Sequence, residues 1–292
     1  MNVLITGATG QLGRSFRSSF LNLEHRCFYT DLNGCDDVVP LDITDAGAVM
    51  SFVRDNEIEV IINCAAYTDV NKAEDDLAAA YAVNAEAVAN LARSAREADA
   101  VLIHFSTDYV FDGKAYKPYS ETDLPSPVNA YGRSKLAGEK LIGEAGCRHM
   151  IFRTAWLYSS YGKNFVKTMA ELTADRSEIS VVSDQIGTPT YAQDLADTVS
   201  ILIDEGRLSH SGIFHYTDEG VCSWYDLAKE VNEMLGHFCN VKPCRTSDYP
   251  TRAERPHYSV LDKSKVREVF GVDIPHWRES LYCCITEMKK RI

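Results

Sequence analysis

Short apolar runs alternate with stretches of helical period through the first half of the chain. The runs at 2–6, 25–30, 59–66, 100–106 and 149–158 have the length and composition of strands. Between them, the segments starting near Gln11, spanning 43–57 and about 75–98, and starting near Ala130 read as helices. In the third of these, Tyr81, Val83, Ala87, Leu91 and Ala95 recur at helical spacing. Strands that alternate with helices predict a parallel sheet covered on both faces. Uninterrupted apolar runs fit strands buried on both sides. The fold class expected is therefore α/β, a doubly wound parallel sheet over 1–155, with 190–216 returning to it. From 156 the alternation loosens. A short strand and Gly-Pro loop at 179–190 precede a helix at 191–205 and a strand at 212–217. Residues 218–292 hold two helices and a Pro- and Arg-rich loop at 249–260. This predicts a smaller, interleaved C-terminal domain built from 156–189 and 217–292.

Composition narrows the function. The 292 residues are 45% hydrophobic, enough for a sizeable core. The net charge is −12, which argues against a general binder of nucleic acid or acidic membrane. No apolar run approaches the ~20 residues that span a bilayer. The start, "MNVLITGATG", has no basic segment or cleavage signal, so a cytoplasmic protein is expected. The nine cysteines show no C-x-x-C pair and the eight histidines no H-x-x-x-H pair, so free thiols and no metal are expected.

Two stretches carry chemistry. The first strand runs into "TGATGQLG", with Gly7, Gly10 and Gly13 before a helix. Glycines so placed allow a tight turn and close approach of a pyrophosphate, which then sits at a helix N-terminus. Asp31 ends the second strand, where a carboxylate accepts from the adenosine ribose. Asp42 and Ile43 suit an adenine, and the small residues of "NCAAYT" (63–68) leave room for a cofactor. The second stretch is "STDYVFDG", where the fourth strand leaves the core through Ser106, Thr107 and Asp108. Its partner is "YGRSK", which sets Tyr131 and Lys135 on one helix face. An ammonium ~5 Å from a phenol is expected to lower its pKa by about two units and fit it for proton exchange. Thr107 would hold the same oxygen, while Ser106 would point the other way.

In this order, "TGATGQLG", "NCAA", "YAVNAEAVANLARSA", "STDYVFDG" and "YGRSKLAGE" resemble the extended short-chain dehydrogenase/reductase family. The resemblance covers essentially the whole chain. "FRTAWLYS", "DQIGTPTYAQDLA" and "RPHYSVLDKSK" narrow it to a branch that reduces the C4 ketone of dTDP-4-dehydro-L-rhamnose. It implies a Rossmann domain with a C-terminal substrate domain, and NADPH or NADH as cofactor. It implies catalysis by Thr107, Tyr131 and Lys135. Cofactor contacts would come from Gly10, Gln11, Leu12, Asp31, Asp42, Ile43, Ala65, Ala66, Thr68, Tyr131 and Lys135. Thr107, Asp108 and Trp156 would contact substrate. Arg255 and Arg252 suit its diphosphate by bidentate pairing. Some relatives form a metal-bridged dimer through a Glu that is here Ser15, so a monomer or weak homodimer is expected. The alternatives are a non-catalytic, reductase-like regulatory subunit, and a reductase or epimerase for another nucleotide sugar.

Overall fold

The computed structural model describes residues 1–290. Seven strands form one sheet, and every pairing in it is parallel. They are β1 (Asn2–Thr6), β2 (Arg26–Asp31), β3 (Val39–Pro40), β4 (Val60–Asn63), β5 (Val101–Thr107), β6 (Arg148–Thr154) and β7 (Gly212–His215). Their order across the sheet is β7-β6-β5-β4-β1-β2-β3. The order reverses between β1 and β4, and a cleft outside the carboxyl ends of the strands is expected there.

The period of two along each strand divides the core. Val3, Ile5, Val60, Ile62 and Ile103 face one layer, with Phe16, Leu195 and Val199. Leu4, Ile61 and Leu102 face the other, with Val49, Val53, Leu91 and Ile142. The expected doubly wound sheet is thus realised, with β7 adding to its edge beside β6. Val266 and Phe270, from the short helix Ser264–Phe270, also pack into the first layer.

A separate core joins Val166, Met169, Ile179, Val181, Leu227, Val231, Trp277 and Leu281. Its strand Glu178–Val182 pairs in parallel with Asn240–Cys244, a strand that the sequence reading left out. Pro243 disguises it, because proline is tolerated only at edges or bulges.

The helix expected over 75–98 is interrupted. It runs as Lys72–Asp75, Leu77–Tyr81, a π turn at Ala82–Glu86, and Ala87–Glu97. Asn84 explains the π turn. Its amide accepts from Tyr67 N–H, and donates to Tyr67 O and Ser134 Oγ. That anchors the segment behind the cleft, in the setting where π turns recur. No helix among the described residues is long and apolar enough to cross a membrane.

Asp218 follows β7 and is fully buried. Its Oδ2 accepts from Tyr191 N–H at 3.0 Å, while Oδ1 has no hydrogen-bond partner. Burial, and then the nearby Asp194 charge, push this carboxyl well above its ordinary value, against the Tyr191 N–H, Ser280 and Lys263. The folded protein therefore retains a proton that the unfolded chain releases near pH ~3.9. The stability of that arrangement is complete below this pH and falls as pH rises toward the folded pKa. Asp218→Asn keeps an acceptor for Tyr191 and removes the ionisation. It should stabilise by about 1–3 kcal/mol at pH 7.5 and by little at pH 4. Thermal melts at both pH values decide this, and an unchanged Tm at pH 7.5 would contradict it.

Candidate active site

A cavity of ≈780 Å³ opens at the sheet's carboxyl edge, over the reversal between β1 and β4. Its floor is the glycine turn. Gly7 has φ +63°, and a Cβ there would lie 2.6 Å from Ala65 N. A Cβ on Gly13 would lie 2.2 Å from Gly7 O, so this glycine closes the turn from below and is not itself on the wall. Gly10 caps the helix Gln11–Ser19 with no side-chain bond, leaving the first-turn N–H groups to an anion.

The expected cofactor residues meet around this cavity. Leu12, Ile43, Ala65, Ala66 and Thr68 line it. Asp31 lines it too, but its carboxylate is already engaged. Oδ2 accepts from Thr9 N at 3.0 Å and Thr9 Oγ1 at 2.6 Å, and Oδ1 from Leu32 N at 2.8 Å. Asp42 likewise accepts from Thr44 N and Oγ1. Gln11 turns its Oε1 to Ser159 Oγ at 3.1 Å and Asn164 Nδ2 at 2.9 Å. It thus ties the glycine turn to the loop after β6.

Thr107, Asp108, Tyr131 and Lys135 border the same cavity. Thr107 ends β5, where its Oγ1 donates to Asp108 Oδ1 at 2.9 Å and accepts from Tyr109 N. Ser106 does point the other way, donating to Glu139. Tyr131 stands in the first turn of the helix Ala130–Ala145, which Asn129 caps through Gly132 N at 2.8 Å. A Cβ on Gly132 would lie 2.1 Å from Tyr109 O, so that turn presses directly on the chain leaving β5.

The electrostatics differ from expectation. Burial raises the Tyr131 phenol, the Asp108 charge raises it further, and the Thr107 hydroxyl opposes both. Lys135 does not offset this. Its Nζ donates to Phe105 O at 2.6 Å and lies 3.3 Å from His104 Nε2. The predicted fall of two units is absent in this arrangement, because desolvation dominates and Lys135 Nζ is turned away. Burial itself lowers Lys135 to about 8, against Glu139. Burial also lifts Asp108 to about 6, against the Ser259 and Thr107 hydroxyls.

A second cavity of ≈260 Å³ adjoins the first, lined by Thr107, Tyr131, Trp156, Trp224 and Arg255. Trp156 adopts φ +49°, a strained conformation for a bulky residue. It stacks on Trp224 with centroids 3.5 Å apart and planes at 9°. Arg255 Nε is buried without a partner. Burial raises the nearby Tyr109 phenol to about 12, against the Arg255 charge. Arg252 instead pairs with Asp75 at 2.9 Å and is exposed. The sequence reading missed Trp224, Lys163 and Asn164, which come from loops and a distant helix start. Only the Ser223-x-x-Asp226 capping box marks the Trp224 helix in sequence.

Comparison with known proteins fits this geometry. The family described as RmlD substrate binding domain matches residues 1–290. The dTDP-4-dehydrorhamnose reductase of Aggregatibacter actinomycetemcomitans is 39% identical over 289 residues, covering 96% of both chains. The chain belongs to the dTDP-4-dehydrorhamnose reductase family. A solved dTDP-4-dehydrorhamnose reductase from Clostridium acetobutylicum superposes with TM-score 0.92 at 42% identity, covering 99% of this chain and 100% of that one. The enzyme of that name from Bacillus anthracis, solved in complex with NADP, has TM-score 0.92 and 39% identity, covering 98% and 99%.

The close approaches allow a test of the turn. Gly13→Ala should cost about 1–3 kcal/mol of stability and weaken dinucleotide binding, because backbone must move. Gly143→Ala, in the same class of substitution, meets nothing within 4 Å and should stabilise by about 1 kcal/mol. Thermal melts and dinucleotide titration of both variants check this. Equal behaviour of the two would show that the Gly13 approach is not needed.

Proposed function

We propose that the chain reduces the C4 ketone of dTDP-4-dehydro-L-rhamnose to dTDP-L-rhamnose with NADPH or NADH, the last step of dTDP-rhamnose formation. One observation carries the reading. Thr107 and Tyr131 stand on the wall shared by the dinucleotide-sized cleft and the aromatic second cavity. A carbonyl placed between them has two hydroxyls at its oxygen and a cofactor face at its carbon.

The bound nicotinamide would supply hydride to that carbon. Thr107 and Tyr131 hold the oxygen, and Tyr131 gives it a proton. The raised phenol pKa keeps the proton on Tyr131 at neutral pH, which is the form a donor needs. Arg255 suits the diphosphate, and the stacked Trp156 a sugar face. Residues 156–189 and 217–292 form the domain that holds the nucleotide. The protein acts in the cytoplasm as a monomer or weak homodimer; Ser15, where some relatives carry the metal-bridging Glu, donates to Gln11 O and offers no carboxylate to a metal.

The decisive experiment is turnover of dTDP-4-dehydro-L-rhamnose followed at the nicotinamide absorbance. Loss of NAD(P)H with formation of dTDP-L-rhamnose is expected. An epimerised ketone without net oxidation would overturn the reading. Tyr131→Phe should lower kcat by about 10²–10⁴ with little change in cofactor affinity.

Cofactor choice follows from Asp31, whose carboxylate is anchored by Thr9 at the mouth of the turn. Asp31→Ala should shift kcat/KM toward NADPH over NADH by about tenfold, roughly 1.4 kcal/mol. An unchanged ratio would mean that Asp31 does not meet the ribose.

A further inference from the structure

A chain of buried hydrogen bonds runs beneath the cleft from β1 to Lys135. Thr6 Oγ1 donates to Asn63 Oδ1 at 2.7 Å, and Asn63 Nδ2 lies 3.0 Å from His104 Nδ1. His104 Nε2 lies 3.3 Å from Lys135 Nζ. Thr6, Asn63, His104 and Lys135 are all essentially inaccessible to solvent.

The protons in this chain can be assigned. Ala65 N–H can only donate, and it meets Asn63 Oδ1 at 3.2 Å. The oxygen of Asn63 is therefore fixed, and its Nδ2 faces His104. An amide nitrogen only donates, so His104 Nδ1 accepts and carries no proton. A neutral imidazole then carries its proton on Nε2, facing Lys135. An ammonium has no lone pair, so in that seat it would set donor against donor. An amine fits. It accepts from His104 Nε2–H and donates to Phe105 O at 2.6 Å.

We infer that His104 is a positioning residue whose Nε2–H seats the neutral-amine form of Lys135 in the ligand-free protein, so that dinucleotide binding is coupled to proton uptake at Lys135. Formation of the ammonium adds one N–H bond at Nζ, with the proton drawn from solvent. Lys135 then leaves His104 for the cleft that it already borders. Keeping the ammonium in place would require His104 to change tautomer and Asn63 to turn over, which orphans Ala65 N–H. The groups around Lys135 agree. Burial holds His104 well below its ordinary value, so its ring is neutral. Glu139, one helical turn on, is neutralised by Arg153 at 2.7 Å. Cys64, on the cleft wall, is raised by burial and stays a thiol. Tyr131, one turn before, keeps its proton.

The coupling rests on dinucleotide binding as read above, whereas the tautomer does not, so the two can fail separately. In ¹⁵N-histidine-labelled, ligand-free protein, His104 should show the neutral Nε2–H tautomer. An Nδ1–H tautomer or a charged ring overturns the inference, whether or not any nucleotide binds. For the coupling, NADPH binding is measured calorimetrically at pH 8 in buffers of different ionisation enthalpy. Wild type should take up about half a proton per site beyond Lys135→Met, since Lys135 titrates near 8 when unliganded. His104→Asn retains an acceptor for Asn63 and removes the Nε2–H that faces Lys135, so the excess uptake should fall. If that variant does not fold, His104→Gln, which offers Lys135 an acceptor, should give the same result. Excess uptake that is absent in wild type, or unchanged in a folded His104 variant, overturns the coupling. If NADPH does not bind, the nucleotide reading fails and the tautomer alone decides the role of His104.

Discussion

The buried pair of Glu139 and Arg153 is the constraint on which the active corner depends. Arg153 Nε and one terminal nitrogen meet the two carboxylate oxygens at 2.9 and 2.7 Å, a bidentate fork with both side chains almost fully buried. Such a pair adds little net stability, but an unpaired member would be costly, so the sequence cannot relax it piecemeal. It therefore acts as a register pin. Glu139 lies on the same helix as Lys135 and Tyr131, Arg153 lies on β6, and Ser106 on β5 donates to the same carboxylate. The Arg153 guanidinium also covers the Phe111 ring at 5.1 Å, and Phe111 stacks on Tyr119 at 4.3 Å. Helix, two strands and the loop after β5 are fixed to one another by a single ion pair. Thr107 and Tyr131 can then oppose each other without touching through any flexible element.

Backbone contacts without side chains supply the second constraint. The first turn of the Tyr131 helix lies on Tyr109 O through Gly132, and its third turn on Asn84 O through Gly138. Both approaches exclude a Cβ. The π turn that carries Asn84 is thus clamped between the helix and the loop at Tyr67. The glycine turn repeats the device between Gly7 and Ala65. Three chain crossings near the cleft are set by atoms that are missing, and this leaves little freedom in the width of the site.

These features were unequally legible in the sequence. The strands, the glycine turn and the Tyr131–Lys135 face are local patterns, readable from spacing alone. The direction of Lys135 was not, because it depends on His104 and Asn63, two polar residues inside apolar runs on neighbouring strands. Their register, Asn63 beside His104, exists only in the sheet. Arg252 and Arg255 look alike in one loop. Only the fold gives one to Asp75 and the other to the aromatic cavity. Trp224 was hidden for the same reason: its stacking partner lies 68 residues earlier in the chain and meets it only through the second core.

The titratable groups of the corner share one tendency. Burial moves Tyr131, Asp108, Lys135 and His104 each toward its neutral form. A corner of that kind is poorly suited to stabilise a phenolate before ligands arrive, and well suited to keep a proton where a ketone will need it. Charge would be created when it is useful. An anionic dinucleotide raises the local demand for a cation, and Lys135 has a seat from which it can answer by gaining a proton and turning outward. Its ammonium would then stand where loss of the Tyr131 proton needs compensation. The low dielectric that suppresses charge in the empty site makes each charge worth more once formed. On this view the buried polar chain beneath the cleft is not a remnant of the core. It is the part of the site that determines when the site becomes polar.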